Sequence, residues 1–194
     1  CMPKVSLVIP AYNIESYIRR CIESVKHQTF TDFEAIVVDD ASTDNTHAVL
    51  VEAIGDDTRF RLIRHEKNRG LHLARRSAAA LVSGEYVFCL DGDDELAPDF
   101  LQQVVGRMDE HPVDMLHVGI TVIPENGVTP QEAEGFAAYI NRPTTPLNDA
   151  DILRMIYDEA NGQPLDWRAT QRLYRASLFK AAFERMTDEV LERA

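Results

Sequence analysis

Apolar residues follow two alternating spacings along the first 110 residues, and this alternation predicts repeated strand and helix units. Short runs of apolar, aromatic and β-branched residues are typical of buried strands. These runs cover residues 5–9, 33–38, 60–63 and 86–90. Apolar positions three and four residues apart indicate helices over residues 14–25, 46–54, 71–82 and 98–110. Strands that alternate with helices favour right-handed crossovers, so the pattern predicts an α/β fold with a mainly parallel central sheet and helices on both faces.

The remainder of the chain has a less regular pattern. Residues 113–123 read as one long strand, residues 149–157 have helical spacing, and apolar packing positions return over residues 165–179. Residues 124–146 are rich in proline, glycine, threonine and glutamate. Two interpretations of this segment stay open: a mobile insertion that covers a ligand-binding crevice, or a disordered loop without a function.

Composition narrows the class of protein. The 194 residues are 45% hydrophobic, which is enough to form one sizeable core. The formal net charge of -12 argues against a nucleic-acid partner, because nucleic acids are held mainly by lysine and arginine. Of the three cysteines, Cys21 and Cys89 lie within apolar patterns, which favours reduced thiols over disulfides. The sequence contains neither a membrane-spanning run nor a signal-peptide pattern, so we expect a cytoplasmic protein.

Polar residues gather after the predicted strands. The strand exits carry Pro10–Asn13, Asp39–Asp40, His65–Gly70 and Asp91–Asp94. In open α/β sheets ligands bind outside the carboxyl ends of the strands, so we expect these four groups to line one crevice. Neither a Walker glycine loop nor a Gly-x-Gly-x-x-Gly turn follows the first strand, and a phosphate group would therefore need a metal ion. The sequence predicts an acidic crevice that binds a nucleotide-like diphosphate through a divalent cation.

The sequence Asp91-Gly-Asp-Asp94 supplies the acidic part of this crevice, directly after the apolar run at residues 86–90. Carboxylates this close together repel one another unless a cation neutralises them. Hard oxygen ligands favour Mg²⁺ or Mn²⁺, with phosphates of the ligand completing the coordination shell. The alternative is a solvated acidic turn ahead of the next helix.

Five motifs, in order along the chain, resemble those of family 2 glycosyltransferases. They are Val5-Ser-Leu-Val-Ile-Pro-Ala-Tyr-Asn13, Gln28-Thr-Phe30, Phe33-Glu-Ala-Ile-Val-Val-Asp-Asp-Ala-Ser42, Asn68-Arg-Gly-Leu71 with Ala74-Arg75, and Asp91-Gly-Asp-Asp94. The resemblance covers residues 4–123, and Leu173–Phe179 is similar to a further segment of bacterial members. It implies a GT-A fold, which is Rossmann-like, and an inverting enzyme that uses a nucleotide sugar. It also implies that residues 1–123 form the nucleotide-sugar-binding core and residues 124–194 an acceptor-side segment.

The resemblance implies roles for residues on the nucleotide side of the crevice. In the family, the turn after the first strand and the second acid after the second strand hold the base, which here indicates Tyr12 and Asp40. Tyr12 offers an aromatic face to a uracil-like ring, or else is a core residue, and a carboxylate can accept the ring N–H. Asp39 also fits an acid at a helix N-terminus, and Arg75 also fits a solvated helix face. The residues implied in substrate binding are Pro10, Ala11, Tyr12, Asp39, Asp40, Asn68, Arg75 and Asp91.

Within the acidic cluster, the resemblance implies that Asp91 contacts the ribose or the metal shell, that Asp93 is the direct metal ligand, and that Asp94 assists. Asp93 and Asp94 are thus the implied catalytic residues, and Asp91 and Asp93 the implied metal ligands. The implied cofactor is Mn²⁺ or Mg²⁺, which acts as a Lewis acid on the diphosphate. The expected donor is a UDP-sugar, and the expected acceptor is a carbohydrate or glycolipid hydroxyl in the synthesis of a bacterial surface polysaccharide or glycolipid. Such acceptors are compatible with peripheral association at the inner face of the cell membrane.

The sequence does not identify the general base that an inverting transfer needs to deprotonate the acceptor. Asp188 and Glu189 form the only late acidic pair, but their order and position fit the family poorly, and Asp166 is a weaker candidate. We therefore expect a C-terminally truncated chain whose continuation holds the base. Two other functions stay open: a nucleotide-sugar-binding module without catalysis, and a phosphotransferase of the haloacid dehalogenase type, with Asp91 as nucleophile and Asp93 as acid.

Overall fold

The computed structural model describes residues 2–125, 127–141 and 169–186, and its centre is a six-stranded sheet. The strands are β1 (Val5–Ala11), β2 (Phe33–Asp39), β3 (Phe60–Arg64), β4 (Tyr86–Cys89), β5 (Met115–His117) and β6 (Arg172–Arg175). The helices are α1 (Ile18–Lys26), α2 (Thr46–Ile54), α3 (Leu71–Ala79), α4 (Phe100–Glu110), α5 (Pro130–Ile140) and α6 (Ala176–Glu184). All four strands and all four helices predicted for the first 110 residues are present, with ends displaced by a few residues.

The sheet has the order β3-β2-β1-β4-β6-β5. β1 pairs in parallel with β2 and with β4, and β2 pairs in parallel with β3. β6 runs antiparallel to β4, with Phe88 opposite Leu173. The mainly parallel sheet is therefore confirmed. The chain first builds outward from β1 toward β3 and then continues on the other side of β1 with β4, so the strand order reverses between β1 and β4. Such a switch point is where open α/β sheets bind their ligands.

Side chains on both faces of the central strands are buried, which explains why these strands read as continuous apolar runs. Val8 and Ile36 belong to a cluster on one face that includes Ala78 of α3. Leu7 and Ile9 point to the opposite face, because successive side chains of a strand alternate, and they are fully buried as well. Both faces of the sheet are thus covered, as a mainly parallel sheet requires.

The part of the chain after α4 departs from the predicted pattern. The strand predicted over residues 113–123 is limited to the three residues of β5. Residues 124–146, for which a mobile insertion and a disordered loop stayed open, contain α5, whose N-terminus is a capping box formed by Thr129 and Glu132, with a proline at the start of the helix. The disordered-loop interpretation is wrong over α5, because the proline, threonine and glutamate that suggested a loop are here the start signals of a helix.

The chain forms two compact units, of which one comprises Cys1–Leu116 and Arg172–Ala194 and the other His117–Gln171. The sequence-based boundary at residue 123 stays a prediction; in the structure, β6 returns to the sheet and pairs with β4. Among the described residues, no helix combines the length and the hydrophobicity that crossing a bilayer requires. The helix predicted over residues 149–157 lies outside the described residues.

Candidate active site

The loops that follow β1 and β2 are hydrogen-bonded to each other at the carboxyl edge of the sheet. The Asp40 N–H donates to the carbonyl of Ala11 at 2.9 Å, which extends the β1–β2 pairing by one residue. Asn13 adopts a left-handed backbone with φ 52°, and its side-chain oxygen accepts the N–H of Thr43 at 2.8 Å. The N–H of Asn13 in turn donates to Ser42 Oγ at 3.1 Å. The two loops therefore form one bonded unit beside the switch point.

The residues implied in base binding lie on this unit. Pro10 and Ala11 are the last two residues of β1, and the side chain of Ala11 is buried. Tyr12 follows directly and is 45% exposed. The alternative interpretation of Tyr12 as a core aromatic residue is therefore wrong, and its ring is accessible at the edge of the sheet.

Asp39 is fully buried and belongs to the scaffold of the loop. Its Oδ1 accepts the N–H of Ser42 at 2.9 Å, which closes a turn immediately after β2. Its Oδ2 lies 3.0 Å from His47 Nδ1 and 3.2 Å from Arg64 Nε. The ion pair with Arg64 links the end of β2 to the end of β3, whereas Asp39 Oδ2 and His47 Nδ1 have no hydrogen-bond partner among the described residues.

Asp40 is 2% exposed, and its carboxylate is surrounded by donors. The N–H groups of Arg69 and Gly70 donate to it at 2.9 and 2.7 Å. His65 Nδ1 lies 2.6 Å from Asp40 Oδ1, and His65 Nε2 lies 2.9 Å from Ser77 Oγ. Because a carboxylate only accepts, Nδ1 carries the proton, and in the neutral ring Nε2 then accepts from the Ser77 hydroxyl. This series of hydrogen bonds joins the loop after β2 to the loop after β3 and to α3.

The acidic loop, residues Asp91–Asp94, leaves β4 on the other side of the switch point. It turns back on itself through a hydrogen bond from the Asp94 N–H to the Asp91 carbonyl at 3.0 Å. Gly92 is buried, and a Cβ atom at this position would lie 2.5 Å from Ile14 Cδ1 and 3.0 Å from the Pro10 carbonyl oxygen. Only glycine lets the acidic loop approach the end of β1 this closely, so the acids and the β1 loop are neighbours.

Arg75 connects α3 to the acidic loop. Its Nη2 donates to Asp91 Oδ1 at 2.8 Å, and the arginine side chain is only 14% exposed. The alternative of a solvated helix face is therefore wrong for this residue. Arg75 Nε is buried, and no described residue accepts a hydrogen bond from it. An unpaired buried donor is costly, and the hydrogen bond of Nη2 to Asp91 is the one polar contact that the described residues give this guanidinium.

The charges of the acidic loop act on one another. Burial, and after it the charges of Asp93 and Asp91, raises the pKa of Asp94 to about 6. In the part of the chain that the structure describes, no three His, Cys, Asp or Glu side chains converge closely enough to enclose a metal ion. The donor set fits an ion that is held by one or two carboxylates and takes its other ligands from phosphates and water, as Mg²⁺ commonly does.

The remaining predicted site residues lie at the periphery or beyond the described residues. Asn68 is exposed on the loop between β3 and α3, next to the backbone that binds Asp40. Asp166, Asp188 and Glu189 lie outside the described residues.

Two residues of the site had no role in the sequence-based prediction. His65 was expected in the crevice only as part of the group after β3, without a role of its own, and the structure shows it to be the direct partner of Asp40. Its position at the exit of β3 was the available signal. Gln28 appeared only within a motif of the resemblance, and the structure shows its side chain buried and bonded to the segment after the acidic loop.

A family model described as "Glycosyl transferase family 2" matches residues 6–182. The chain therefore belongs to glycosyl transferase family 2, and its fold is the GT-A fold of that family. This membership decides against a phosphotransferase of the haloacid dehalogenase type.

Known proteins of this kind are similar to the chain over different lengths. A chondroitin synthase of Escherichia coli is 45% identical over 101 residues, which are 52% of this chain and 15% of the synthase. The uncharacterized glycosyltransferase EpsJ of Bacillus subtilis is 29% identical over 183 residues, which are 93% of this chain and 50% of EpsJ. The crystal structure of S. aureus TarS 1–349 in complex with UDP has a TM-score of 0.71 and 26% identity, covering 97% of this chain and 52% of TarS 1–349. The chain thus spans about half or less of the length of these relatives.

Proposed function

We propose that this chain transfers a sugar from a nucleotide-diphosphate sugar, of the UDP type, to an acceptor hydroxyl with inversion. The observation that supports this most strongly is the meeting of two loop systems at the switch point: the acidic loop on the β4 side, and Tyr12 with Asp40 on the other. The solved TarS structures hold UDP and UDP-GlcNAc and are similar to this chain over 97% and 92% of its length. Because a chondroitin synthase is among the relatives, we propose a bacterial surface polysaccharide or glycolipid as the product.

The base of the nucleotide is assigned to the β1–β2 side. The exposed ring of Tyr12 offers a face for stacking, and Pro10 and Ala11 place it at the end of β1. Asp40 is assigned as the acceptor for a base N–H, with its carboxylate oriented by His65 and by the backbone of the loop before α3. Asp39 contributes by holding that loop system together rather than by contact with the nucleotide.

The diphosphate is assigned to the β4 side. Asp93, which is exposed, is the direct ligand for Mn²⁺ or Mg²⁺, with Asp91 as a second ligand or ribose contact and Asp94 assisting. When bound, the ion supplies Lewis-acid stabilisation of the charge that develops on the diphosphate as the bond to the sugar breaks. Arg75 orients Asp91 and adds a positive charge beside the acidic loop that attracts the phosphates, and Asn68 can contribute an amide from the adjoining loop.

Inversion requires a general base on the face of the sugar opposite the nucleotide. We propose that this base lies outside the described residues, where Asp188, Glu189 and Asp166 are the acids named from the sequence. A cytoplasmic location, with peripheral association at the inner face of the membrane, completes the proposal. The two free, buried thiols Cys21 and Cys89 are consistent with a reducing compartment.

Isothermal titration with UDP, in Mn²⁺ and in EDTA, tests the binding half of the proposal. The variant Asp93→Asn should weaken UDP binding in Mn²⁺ about tenfold or more, because it removes a charged oxygen ligand, and should leave binding in EDTA unchanged. The matched control is Asp99→Asn, which removes the same charge at an exposed position just before α4. Equal affinity of Asp93→Asn and the parent chain in Mn²⁺ contradicts the metal assignment.

Measuring the turnover of a nucleotide sugar distinguishes an enzyme from a binding module that does not catalyse sugar transfer. Release of UDP from a panel of UDP-sugars, measured with oligosaccharide acceptors and the full-length protein, should depend on Mn²⁺ or Mg²⁺ and be lost in Asp93→Asn. Metal-dependent UDP binding without any sugar transfer would instead establish the non-catalytic module.

A further inference from the structure

The side chain of Gln28, just after α1, is 4% exposed and fully hydrogen-bonded. Its Nε2 donates to the Ala97 carbonyl at 2.7 Å and to the Ser24 carbonyl at 3.1 Å. Its Oε1 accepts the N–H of Leu101 at 2.9 Å. One buried amide thus joins the end of α1 to the anchor segment, which we define as residues Leu96–Leu101.

Two further bonds join the same elements. The Leu96 N–H donates to Ser24 Oγ at 3.1 Å, while that hydroxyl donates to the Cys21 carbonyl at 2.7 Å. The Thr29 N–H donates to the Pro98 carbonyl at 2.9 Å. Together with the bonds of Gln28, they attach both ends and the middle of the anchor segment to the C-terminal end of α1 and the residues that follow it.

Gln28 also replaces a missing cap of α4. The first N–H groups of a helix have no partner within the helix, and a side chain at the N-cap position usually accepts one of them. Asp99 occupies that position without making a capping hydrogen bond. Leu101, the second residue of α4, donates its N–H to Gln28 instead. Without Gln28, this buried donor would lose its partner, and the Ala97 carbonyl would keep only the bond from the Phe100 N–H at 3.0 Å.

The other end of the acidic loop rests on the beginning of the same helix. A Cβ atom at Gly92 would lie 3.0 Å from Ile18 Cδ1 and 2.5 Å from Ile14 Cδ1, so the backbone of Gly92 lies against the first turn of α1 and the residues before it. Only three residues separate Gly92 from Leu96, the first residue of the anchor segment. The acidic side chains of this stretch are therefore held between two fixed points on α1.

We propose that Gln28 is a positioning residue that fixes the acidic loop for binding of the metal–diphosphate group, an inference that rests on the proposed function. It touches neither the nucleotide nor the ion. It acts by holding the anchor segment, so that Asp93 and Asp94 keep one arrangement before the ligand arrives. Groups that orient the direct ligands of a metal typically change affinity about 10- to 100-fold when they are replaced.

The test compares Gln28→Met with Gln103→Met. Methionine matches the length of glutamine but cannot form the hydrogen bonds. Gln103 is an exposed glutamine of α4 whose amide donates to Asp99, four residues earlier, and among the described residues makes no bond to α1, so its loss leaves the anchor segment attached to α1. Amide hydrogen exchange at residues 91–96 should become about tenfold faster in Gln28→Met, whereas the exchange rates in β1 should stay the same. UDP affinity in Mn²⁺ should fall about tenfold while affinity in EDTA stays constant. Gln103→Met should alter neither quantity.

A second variant keeps the test decisive if Gln28→Met does not fold. Ser24→Ala removes one bond to the anchor segment and should move exchange and affinity in the same direction by a smaller factor. The inference is overturned if exchange rises equally in β1 and in the acidic loop, or if neither variant affects residues 91–96. If the parent chain fails to bind UDP with Mn²⁺, the proposed function is rejected, and hydrogen exchange alone then decides whether Gln28 orders the acidic loop.

Discussion

Gly92 shows how a single residue fixes the geometry of the candidate site. It lies between Asp91 and Asp93 in the acidic loop, and it matters to the geometry because it has no side chain. The space that a Cβ atom would need is filled by the methyl ends of Ile14 and Ile18 and by the carbonyl oxygen of Pro10. The isoleucine side chains can shift, whereas the carbonyl belongs to β1 and cannot move without disturbing the sheet.

We therefore predict that Gly92→Ala destabilises the fold by about 1–3 kcal/mol, the usual cost of overpacking, and weakens UDP binding in Mn²⁺. Urea unfolding and titration measure the two effects. Gly106→Ala is the matched control, because Gly106 lies inside α4 with open space around its Cα. Replacing an unstrained glycine within a helix should stabilise the protein by about 0.5–1 kcal/mol. A Gly92→Ala variant as stable as the parent would refute the close approach of the acidic loop to β1.

Candidate site residues could be named from the sequence where a suitable residue type stood at the exit of a predicted strand. Asp91, Asp93 and Asp94 met both conditions. The alternatives for Tyr12 and Arg75 were decided only by exposure, since tyrosine and arginine occur in buried and in solvated positions alike. No local pattern pairs His65 with Asp40, because the two residues lie 25 positions apart and meet only where β2 and β3 are adjacent.

Among the elements, α5 has a start that depends on local hydrogen bonds. Thr129 Oγ1 accepts the N–H of Glu132 at 3.3 Å, and Glu132 accepts the N–H of Thr129 at 2.9 Å. These bonds from the backbone and side chain of Thr129 hold the pKa of Glu132 below its usual range. The bonds that the Glu132 carboxylate accepts therefore contribute fully above the ordinary pKa of glutamate and are lost as the pH falls through the lowered value, whereas the bond from the Glu132 N–H to Thr129 Oγ1 persists.

We predict that Thr129→Ala accelerates amide exchange in the first turn of α5 about fivefold at pH 7, the factor expected for loss of one cap. At a pH well below 4.5, the ordinary pKa of glutamate, the difference between variant and parent should shrink, because protonated Glu132 no longer accepts as a carboxylate. Amide exchange of the variant and the parent, measured at both pH values and corrected for the intrinsic exchange rates, tests whether this difference shrinks at low pH. A difference that grows on acidification would contradict the role of the Glu132 carboxylate.

The strands and helices in the first 110 residues were predictable because the spacing of apolar residues within each segment indicates its type. The apolar positions Ile18, Cys21, Ile22 and Val25 of α1 follow helical spacing, and all four are buried in the structure. Residues 113–123 are apolar enough for a long strand, but pairing is limited to three residues. A strand needs a partner as well as a pattern, and the partner of β5 is β6, which comes more than 50 residues later in the chain.

At the scale of the whole molecule, ligand binding should increase the free energy of unfolding. A ligand that binds only the folded state adds RT ln(1 + [L]/Kd), which is about 2.7 kcal/mol when its concentration is 100 times Kd. We predict this increase for UDP in the presence of Mn²⁺, measured by urea unfolding of the parent chain. Removal of the ion with EDTA should abolish most of the gain, because the acidic loop then repels the diphosphate. An equal gain from UDP in Mn²⁺ and in EDTA would mean that the nucleotide binds without the ion.

The sequence by itself determined the class of fold and the chemistry available at the strand exits. Periodicity reports local structure, and a carboxylate has the same ligand preferences wherever the fold places it. Only the tertiary structure decided which groups meet: that β1 lies between β2 and β4, that His65 reaches Asp40, and that Gln28 binds the segment after the acidic loop. These contacts join residues 25 to 73 positions apart, and their geometry depends on strand order and packing, which no local pattern encodes.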